Sequence, residues 1–281
     1  MNNNKIGGNY MDKIAPKCYT KIKRYEELTI ANDFMFCKIF QKPELCKQAL
    51  ECILQKKLKE ITCTNAQQVV DTTIDGKSIR LDIMAVDEKG VVYDIEMQCA
   101  DTKELPQRSR FYRSMIDQDL LDKGQRYFEL SNSIVIFVCP FDLFKKGFGK
   151  YTFRLRADED TSLLLNDGSS AIFLNTTGKV EDSKLQNFLD YLNGNETVND
   201  HFVRQLKNAM VKASQNSKWR DEYMRISARE QYNEYIYTEK GRQEEKRTII
   251  LKALEENSPE KVATFLKLPL SEVLSIYEKA K

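Results

Sequence analysis

The chain alternates between two hydrophobic periods, and each change of period predicts a change of secondary structure. Apolar residues recur at helical spacing through 29–55, and Pro43 divides this segment into two predicted helices. Asn32 or Asp33 is suited to cap the first of them. Short runs rich in Val, Ile, Tyr and Phe follow within 66–177, which is typical of strands. This order of elements predicts an α/β fold.

Two β-hairpins are predicted in the strand-rich part. The Asp75-Gly76 dipeptide lies between extended runs and is a strong turn signal. The second hairpin covers 78–98, where a three-residue loop at 88–90 places Gly90 in the left-handed position of a bulge. This loop sets the register of the second hairpin, because every later cross-strand pair follows from it.

The register brings two acidic side chains together. It places Asp82 opposite Glu96 and, further along, Arg80 opposite Gln98. Opposed Cβ atoms lie about 4.5–5.5 Å apart, and two ionised carboxylates at that distance repel each other. A divalent cation between them would remove the repulsion, and Mg²⁺ takes one or two carboxylates together with water and phosphate oxygens. Gln98 shares the face of Glu96 and is suited to orient a metal-bound water or to contact a phosphate.

A second interpretation of these acids stays open. Asp and Glu at strand ends often face solvent on an antiparallel sheet. Arg80 can also form an ordinary ion pair, either near Asp82 or with Asp71. Thirteen residues separate Asp82 from Glu96, which begins the Glu-x-Gln motif. This spacing alone does not decide between a metal site and a solvated pair of acids.

The rest of the pattern predicts helices and a division of the chain into parts. An amphipathic helix is expected from about Pro106 to Gly124, and helical spacing prevails after residue 180. Mixed charge is dense through 218–252, which indicates a long solvated helix. We therefore predict four parts: a flexible lead at 1–25, an α/β core at 26–180, a helical extension at 181–217, and a charged long helix with a small terminal helix pair at 218–281.

Composition narrows the classes of function. The 281 residues include 44 Lys or Arg and 42 Asp or Glu, so the net charge of +2 neither requires nor excludes a nucleic-acid partner. The single histidine, His201, lies in a helix-like segment. It argues against Ser-His-Asp catalysis and against His-rich metal sites. Any catalysis must therefore rest on carboxylates, Lys, Gln or Tyr.

Targeting signals and cysteines indicate a cytoplasmic protein. The N-terminus is polar and lacks the apolar region of a signal peptide. The longest apolar run, at 133–141, is too short to span a bilayer, so no membrane partner is expected. The seven cysteines form no C-x-x-C pair, which favours free thiols over a zinc site or a disulfide framework.

Several of these segments resemble the PD-(D/E)XK nuclease superfamily. The opening helix at 32–40, the strand around Asp82 and the Glu-x-Gln strand at 96–98 follow its order. The helix and strand at 108–144 are also similar. More closely, these segments resemble the Rpn branch of recombination-promoting nucleases, which are described as putative transposases. The resemblance covers about 25–280 and is loosest in the C-terminal tail.

The resemblance implies a restriction-endonuclease-like fold, with a mixed central sheet flanked by helices and followed by a helical tail. It also implies metal-dependent hydrolysis of DNA, with Mg²⁺ as the cofactor or Mn²⁺ in its place. Asp82 and Glu96 correspond to the catalytic metal ligands. Gln98 corresponds to a further catalytic position, which is Lys in the superfamily pattern and Gln in the Rpn branch. A glutamine brings no positive charge to the site. Asp33 is either an accessory acid of the site or only a helix cap.

The basic residues and the biological role leave alternatives open. Arg108, Arg110 and Arg113 lie on the helix after the motif strand, either as DNA phosphate contacts or as part of a solvated face. The expected function is a DNA endonuclease in recombination, mobile-element biology or defence. The alternative is a non-catalytic DNA-binding or assembly protein, because the motif Lys is absent. The terminal helix pair is expected to make protein contacts, including those of a homo-oligomer.

Overall fold

The computed structural model describes residues 23–63, 69–70, 79–80, 82–121 and 124–279. Most of the predicted flexible lead lies outside the described residues, and so does the predicted Asp75-Gly76 turn. The chain divides into two compact units. One unit consists of Lys23–Arg220, and the described part of 221–281 belongs to the other.

Six of the described strands form one mixed sheet. In chain order the strands are β1 (Ile61–Cys63), β2 (Val69–Val70), β3 (Ile79–Arg80), β4 (Ile83–Asp87), β5 (Val92–Met97), β6 (Ser133–Cys139), β7 (Lys150–Phe153) and β8 (Ser169–Asn175). The sheet order is β1-β4-β5-β6-β8-β7, while β2 and β3 pair with each other. The β5-β6 and β6-β8 pairs are parallel and the other neighbours are antiparallel. The predicted mixed sheet of a restriction-endonuclease-like α/β fold is therefore confirmed.

Helices flank this sheet and build the C-terminal region. In chain order they are α1 (Asp33–Phe40), α2 (Pro43–Leu54), α3 (Leu105–Leu120), α4 (Ser183–Leu192), α5 (His201–Ser214), α6 (Ser217–Glu256), α7 (Pro259–Leu266) and α8 (Leu270–Glu278). The Asn32 side chain accepts a hydrogen bond from the Met35 amide at 3.3 Å, so Asn32 rather than Asp33 caps α1. Pro43 begins α2, where the absence of its N–H costs little.

Aspartates cap the two helices after the sheet. Asp182 accepts a hydrogen bond from the Leu185 amide at 2.8 Å, and Asp200 accepts one from the Val203 amide at 2.7 Å. His201 follows directly as the first residue of α5 and is exposed. The predicted helix histidine is therefore confirmed, and it lies apart from the acidic strand described below.

The hairpin of β4 and β5 has the predicted register. The Asp87 amide donates to the Val91 carbonyl at 3.1 Å, and Gly90 takes a positive φ of 76°. Met84 then pairs with Asp94, and continuing the register places position 82 opposite position 96. The predicted pairing of positions 80 and 98 is wrong. β3 belongs to a separate two-stranded sheet, in which residue 80 pairs with residue 69.

The two faces of the sheet contact different helices. The odd-numbered residues of β5, at positions 93–97, enter a core that includes apolar side chains of α1, α2, α4 and α5. Val92 enters a second core together with Tyr112 and Met115 of α3. Side chains alternate along a strand, so the even-numbered residues of β5 lie on the α3 face. The polar residues of the Glu-x-Gln strand therefore point toward α3.

The C-terminal unit has a small apolar core of its own. Ile250 near the end of α6 is buried together with Val262 of α7 and Val273 of α8. Pro259 begins α7 after Ser258, as the sequence predicts. Among the helices in the described part of the chain, none is long and apolar enough to cross a membrane.

Candidate active site

Three polar side chains follow one face of β5 toward its carboxyl end. Asp94, Glu96 and Gln98 occupy alternate positions and face α3 rather than the larger core. Their exposed fractions are 0%, 2% and 9%. Burial of carboxyl groups is costly unless they are paired, so the neighbours of these side chains decide what the site can do.

Hydrogen bonds to main-chain amides connect the side chains of Asp82 and Glu96 across the two strands. The Asp82 amide donates to Glu96 Oε1 at 3.0 Å, and the Met97 amide donates to Asp82 Oδ2 at 3.1 Å. Each carboxylate is therefore fixed by a backbone N–H of the opposite strand. The arrangement places two acidic groups side by side at the end of the hairpin, with their orientation set by main-chain contacts rather than by flexible side chains.

Arg108 of α3 lies in the same cluster. Its Nη1 donates to Gln98 Oε1 at 2.6 Å and its Nη2 donates to the Tyr112 hydroxyl at 2.7 Å. Nη2 also lies 3.5 Å from Glu96 Oε2. The guanidinium Cζ lies 5.2 Å from the ring centre of Tyr112 and 5.9 Å from that of Phe137, within the range of cation–π contacts. Its side chain keeps 30% exposure, so solvent reaches it.

The electrostatics of the cluster are dominated by its acids. Burial, followed by the charge of Asp82, raises the pKa of Glu96 to about 8. The Asp82 amide, the Arg108 guanidinium and a hydrogen bond with Asp94 act in the opposite direction. Burial opposes the charge of Arg108, but contacts with Tyr112 and the charges of the acids raise its pKa above the ordinary value. Within the described part of the chain, the acids of the site therefore outnumber the one arginine, Arg108, that contacts them.

Asp94 is a member of this cluster that the sequence analysis did not select. Its side chain is fully buried, and its carboxyl group lies against that of Glu96. Burial, and then the charges of Glu96 and Asp82, raise its pKa well above the ordinary value, which favours the protonated form. The available signal was its position on the face of Glu96, two residues earlier.

Comparison with known protein families agrees with this arrangement. The family described as "PD-(D/E)XK nuclease family transposase" matches residues 30–249, which is most of the chain. The chain belongs to this family. No curated protein and no solved structure shows a significant match to it. The family match confirms the resemblance inferred from the sequence, and it includes every element that carries the acidic cluster.

The donor set of this PD-(D/E)XK protein suits a hard divalent cation. Among the described residues, no group of three or more His, Cys, Asp or Glu side chains is arranged to ligate a metal. Asp82 and Glu96 could supply two carboxylate ligands, and Mg²⁺ commonly binds with one or two carboxylates plus waters and phosphate. The excess of buried acid over base also favours a cation, since a cation would stabilise both ionised groups.

Asp33 lies near the end of the motif strand. It begins α1, and its Oδ1 accepts a hydrogen bond from the Phe34 amide at 2.8 Å. Its neighbour is Cys99, the residue after Gln98, where burial and then the charge of Asp33 raise the thiol pKa. The structure thus brings Asp33 close to the strand end, and its role as an accessory acid remains a prediction.

The other two predicted DNA-contacting arginines differ in their surroundings. Arg110 is exposed on α3. Arg113 is half-buried, and its Nη1 donates to Ser169 Oγ at 3.1 Å at the start of β8. Arg113 therefore connects α3 to the sheet, whereas Arg110 presents its charge to solvent. Of the three arginines, only Arg108 contacts the Glu-x-Gln motif.

Proposed function

We propose that the protein is a divalent-metal-dependent endonuclease that hydrolyses phosphodiester bonds in DNA. Membership of a nuclease-type family supports the reaction class. The observation that carries the proposal is the reciprocal contact of Asp82 and Glu96, in which each carboxylate accepts a backbone N–H from the strand opposite. Such fixed, partly desolvated carboxylates meet the need of a catalytic site for preorganised charge.

The residues divide the work of this reaction. Asp82 and Glu96 would hold Mg²⁺, or Mn²⁺ in its place. The bound metal would polarise the scissile phosphate and lower the pKa of a water molecule. Burial of Glu96 strengthens its electrostatic interactions by excluding water. The mechanism requires no covalent enzyme intermediate, which agrees with a site built from carboxylates, an amide and a guanidinium.

DNA binding and self-association complete the proposal. Exposed Arg110 on α3, beyond the motif strand, is suited to contact the DNA backbone. The terminal helix pair α7 and α8 is proposed as a contact between copies of the chain, because Phe265 on α7 is 82% exposed. The nuclease would act in recombination, mobile-element biology or defence. The kind of DNA that it cleaves would distinguish these three processes.

A cleavage assay tests the assignment. Supercoiled plasmid is incubated with Mg²⁺ or Mn²⁺ and the parent, Asp82→Asn, Glu96→Gln, or the exposed-acid control Asp158→Asn. The parent and the control should nick or linearise the plasmid at equal rates. Each site variant should be slower by about 100-fold or more, which corresponds to about 2.7 kcal/mol of transition-state stabilisation. Site variants that cut like the parent would show that the reaction centre lies elsewhere.

A non-catalytic DNA-binding role is the second candidate. The observation that favours it is Gln98, an uncharged side chain where the superfamily has Lys. It predicts salt-sensitive DNA binding by the parent together with unchanged plasmid in either metal. The cleavage assay, run beside a binding titration at two salt concentrations, separates the two functions.

A further inference from the structure

The Glu-x-Gln strand lacks the positive charge of the superfamily motif, and the structure places another cation beside it. We propose that Arg108 is a catalytic residue that stabilises the negative charge developing on the scissile phosphate, and that Gln98 is its positioning residue. This inference rests on the proposed nuclease function. It identifies the side chain that would balance the negative charge developing on the scissile phosphate. It assigns the arginine to the reaction centre, which is a narrower role than general contact with DNA.

The contact between Gln98 and Arg108 defines the pair. An arginine has N–H donors and no acceptor, so only the amide oxygen of Gln98 can bond to it. The distance of 2.6 Å from Nη1 to Oε1 shows a close contact. Gln98 is buried and therefore holds the guanidinium at one place in the site. The glutamine supplies geometry, while the arginine supplies the charge.

The guanidinium retains donors for a substrate. An arginine carries five N–H groups, and its contacts with Gln98 and Tyr112 engage one each. The same Nη2 that contacts Tyr112 also lies 3.5 Å from Glu96 Oε2. The remaining groups, on a side chain that keeps 30% exposure, suit the planar, bidentate contact that arginine makes with phosphate.

Position 98 is compatible with Arg108 because it is not basic. A lysine at position 98 would place an ammonium group against a guanidinium, and two like charges at that separation repel. The amide instead accepts a hydrogen bond from the arginine. The exchange of Lys for Gln in the motif and the presence of Arg108 on α3 are therefore physically coupled: removal of the arginine should make a lysine at position 98 favourable.

A charge-relocation experiment tests this coupling. The variants are Arg108→Met, Arg108→Lys, Gln98→Lys, the double variant Arg108→Met/Gln98→Lys, and Arg204→Met as an exposed control on α5, which packs against the other face of the sheet. The first measurement is the cleavage rate constant at saturating DNA with Mg²⁺. The second is the DNA dissociation constant in EDTA, and thermal melting establishes that each variant folds.

The expected pattern separates a catalytic cation from a structural one. Arg108→Met should lose about 100-fold in rate constant while its DNA dissociation constant changes less than about threefold. Arg108→Lys should lie between Arg108→Met and the parent. The double variant should be at least about tenfold faster than Arg108→Met, because its lysine restores a cation beside Glu96. Arg204→Met should match the parent.

The contrary outcomes are distinct. A double variant no faster than Arg108→Met, in a chain that folds normally, would show that the arginine only supports the structure of the site. An Arg108→Met variant as fast as the parent overturns the inference and leaves the nuclease function intact. A parent that is inactive with both Mg²⁺ and Mn²⁺ overturns the nuclease function, and with it the reaction that Arg108 would assist.

Discussion

At the scale of single residues, the buried carboxyl groups of the site lower the stability of the folded protein when they ionise. Glu96 and Asp94 are buried next to each other, and both have a pKa raised first by burial and then by neighbouring acids. A raised pKa means that the folded protein binds more protons than the unfolded chain at intermediate pH. The free energy of unfolding therefore falls as the pH rises from the unfolded-state value toward the folded-state value.

Removal of one of these charges should stabilise the protein. Asp94→Asn preserves the shape of the side chain and removes its ionisation, so its melting temperature at pH 8 should exceed that of the parent by about 2–5 °C. At pH 4.5 the difference should shrink, because this pH lies close to the ordinary Asp pKa of 3.8 and keeping the carboxyl group protonated in the folded state then costs little free energy. Calorimetry at the two pH values provides the measurement. Exposed Asp158→Asn is the control, and an equal gain for Asp94→Asn at both pH values would contradict the explanation.

The sequence and the structure contribute differently to these residues. Asp82, Glu96 and Gln98 could be selected from the sequence, because a short loop fixes a register and the register is local. The role of Arg108 could not, because it depends on which side of α3 meets the sheet. The face that Asp94 occupies could be predicted but its burial could not, since alternation gives the face of a residue and not whether that face is buried.

At the scale of elements, the loop of the β4–β5 hairpin supports the site from the opposite end. The carboxylate of Asp87 accepts hydrogen bonds from the Lys89 amide at 2.9 Å, the Val91 amide at 3.0 Å and the Tyr93 hydroxyl at 2.7 Å. Burial raises the pKa of Asp87, but these three donors and the charge of Lys56 together outweigh it and lower the pKa overall. The loop therefore fixes the register that brings the distant acids together.

Loss of one of these donors should weaken the hairpin in a pH-dependent way. Tyr93→Phe removes a buried hydrogen bond to a charged group and should lower the free energy of unfolding by about 1–3 kcal/mol at pH 7. A lowered pKa contributes stability above the unfolded-state value and loses it as the pH falls through the folded-state value. The effect of Tyr93→Phe should thus decrease toward pH 3, as measured by urea unfolding.

The exposed residue Tyr127 offers the matched control for that experiment. It is 88% exposed, so Tyr127→Phe should leave the unfolding curve unchanged at either pH. A loss of stability from Tyr93→Phe that stays constant between pH 7 and pH 3 would mean that packing, rather than the Asp87 contact, explains the effect.

Helix α3 shows where element-level prediction succeeded and where it stopped. The amphipathic pattern predicts a helix from about Pro106, and the structure begins α3 at Leu105. Its buried face includes Tyr112 and Met115, which pack on the sheet. Arg108 lies one turn before Tyr112 and so reaches the same side. Three arginines of equal appearance in the sequence thus acquire three different environments once the helix is placed.

At the scale of the whole molecule, the two faces of the sheet contact different helices and carry different kinds of side chain. One face meets α1, α2, α4 and α5 in a large apolar core. The other meets α3 and carries the acidic cluster. The α/β class and the order of elements follow from hydrophobic period. The position of β7 between β8 and solvent at the sheet edge does not, because non-local strand order leaves no local pattern in the sequence.

The C-terminal unit has a small apolar core of its own. The family match ends at residue 249, before α7 and α8. Within this unit the side chain of Phe265 is 82% exposed. We propose that a second copy of the chain covers this side chain.

Self-association through this unit can be tested without truncation. Phe265→Ser should lower the sedimentation coefficient from that of an oligomer to that of a monomer at micromolar concentration, because loss of a central apolar anchor typically costs more than about 2 kcal/mol of binding. The melting temperature should change little, since the residue is exposed. Leu165→Ser, on an equally apolar residue that is 64% exposed in the other unit, is the control and should keep the parent's coefficient. If the parent itself sediments as a monomer, or if Phe265→Ser leaves an oligomer intact, the terminal helices do not form the interface.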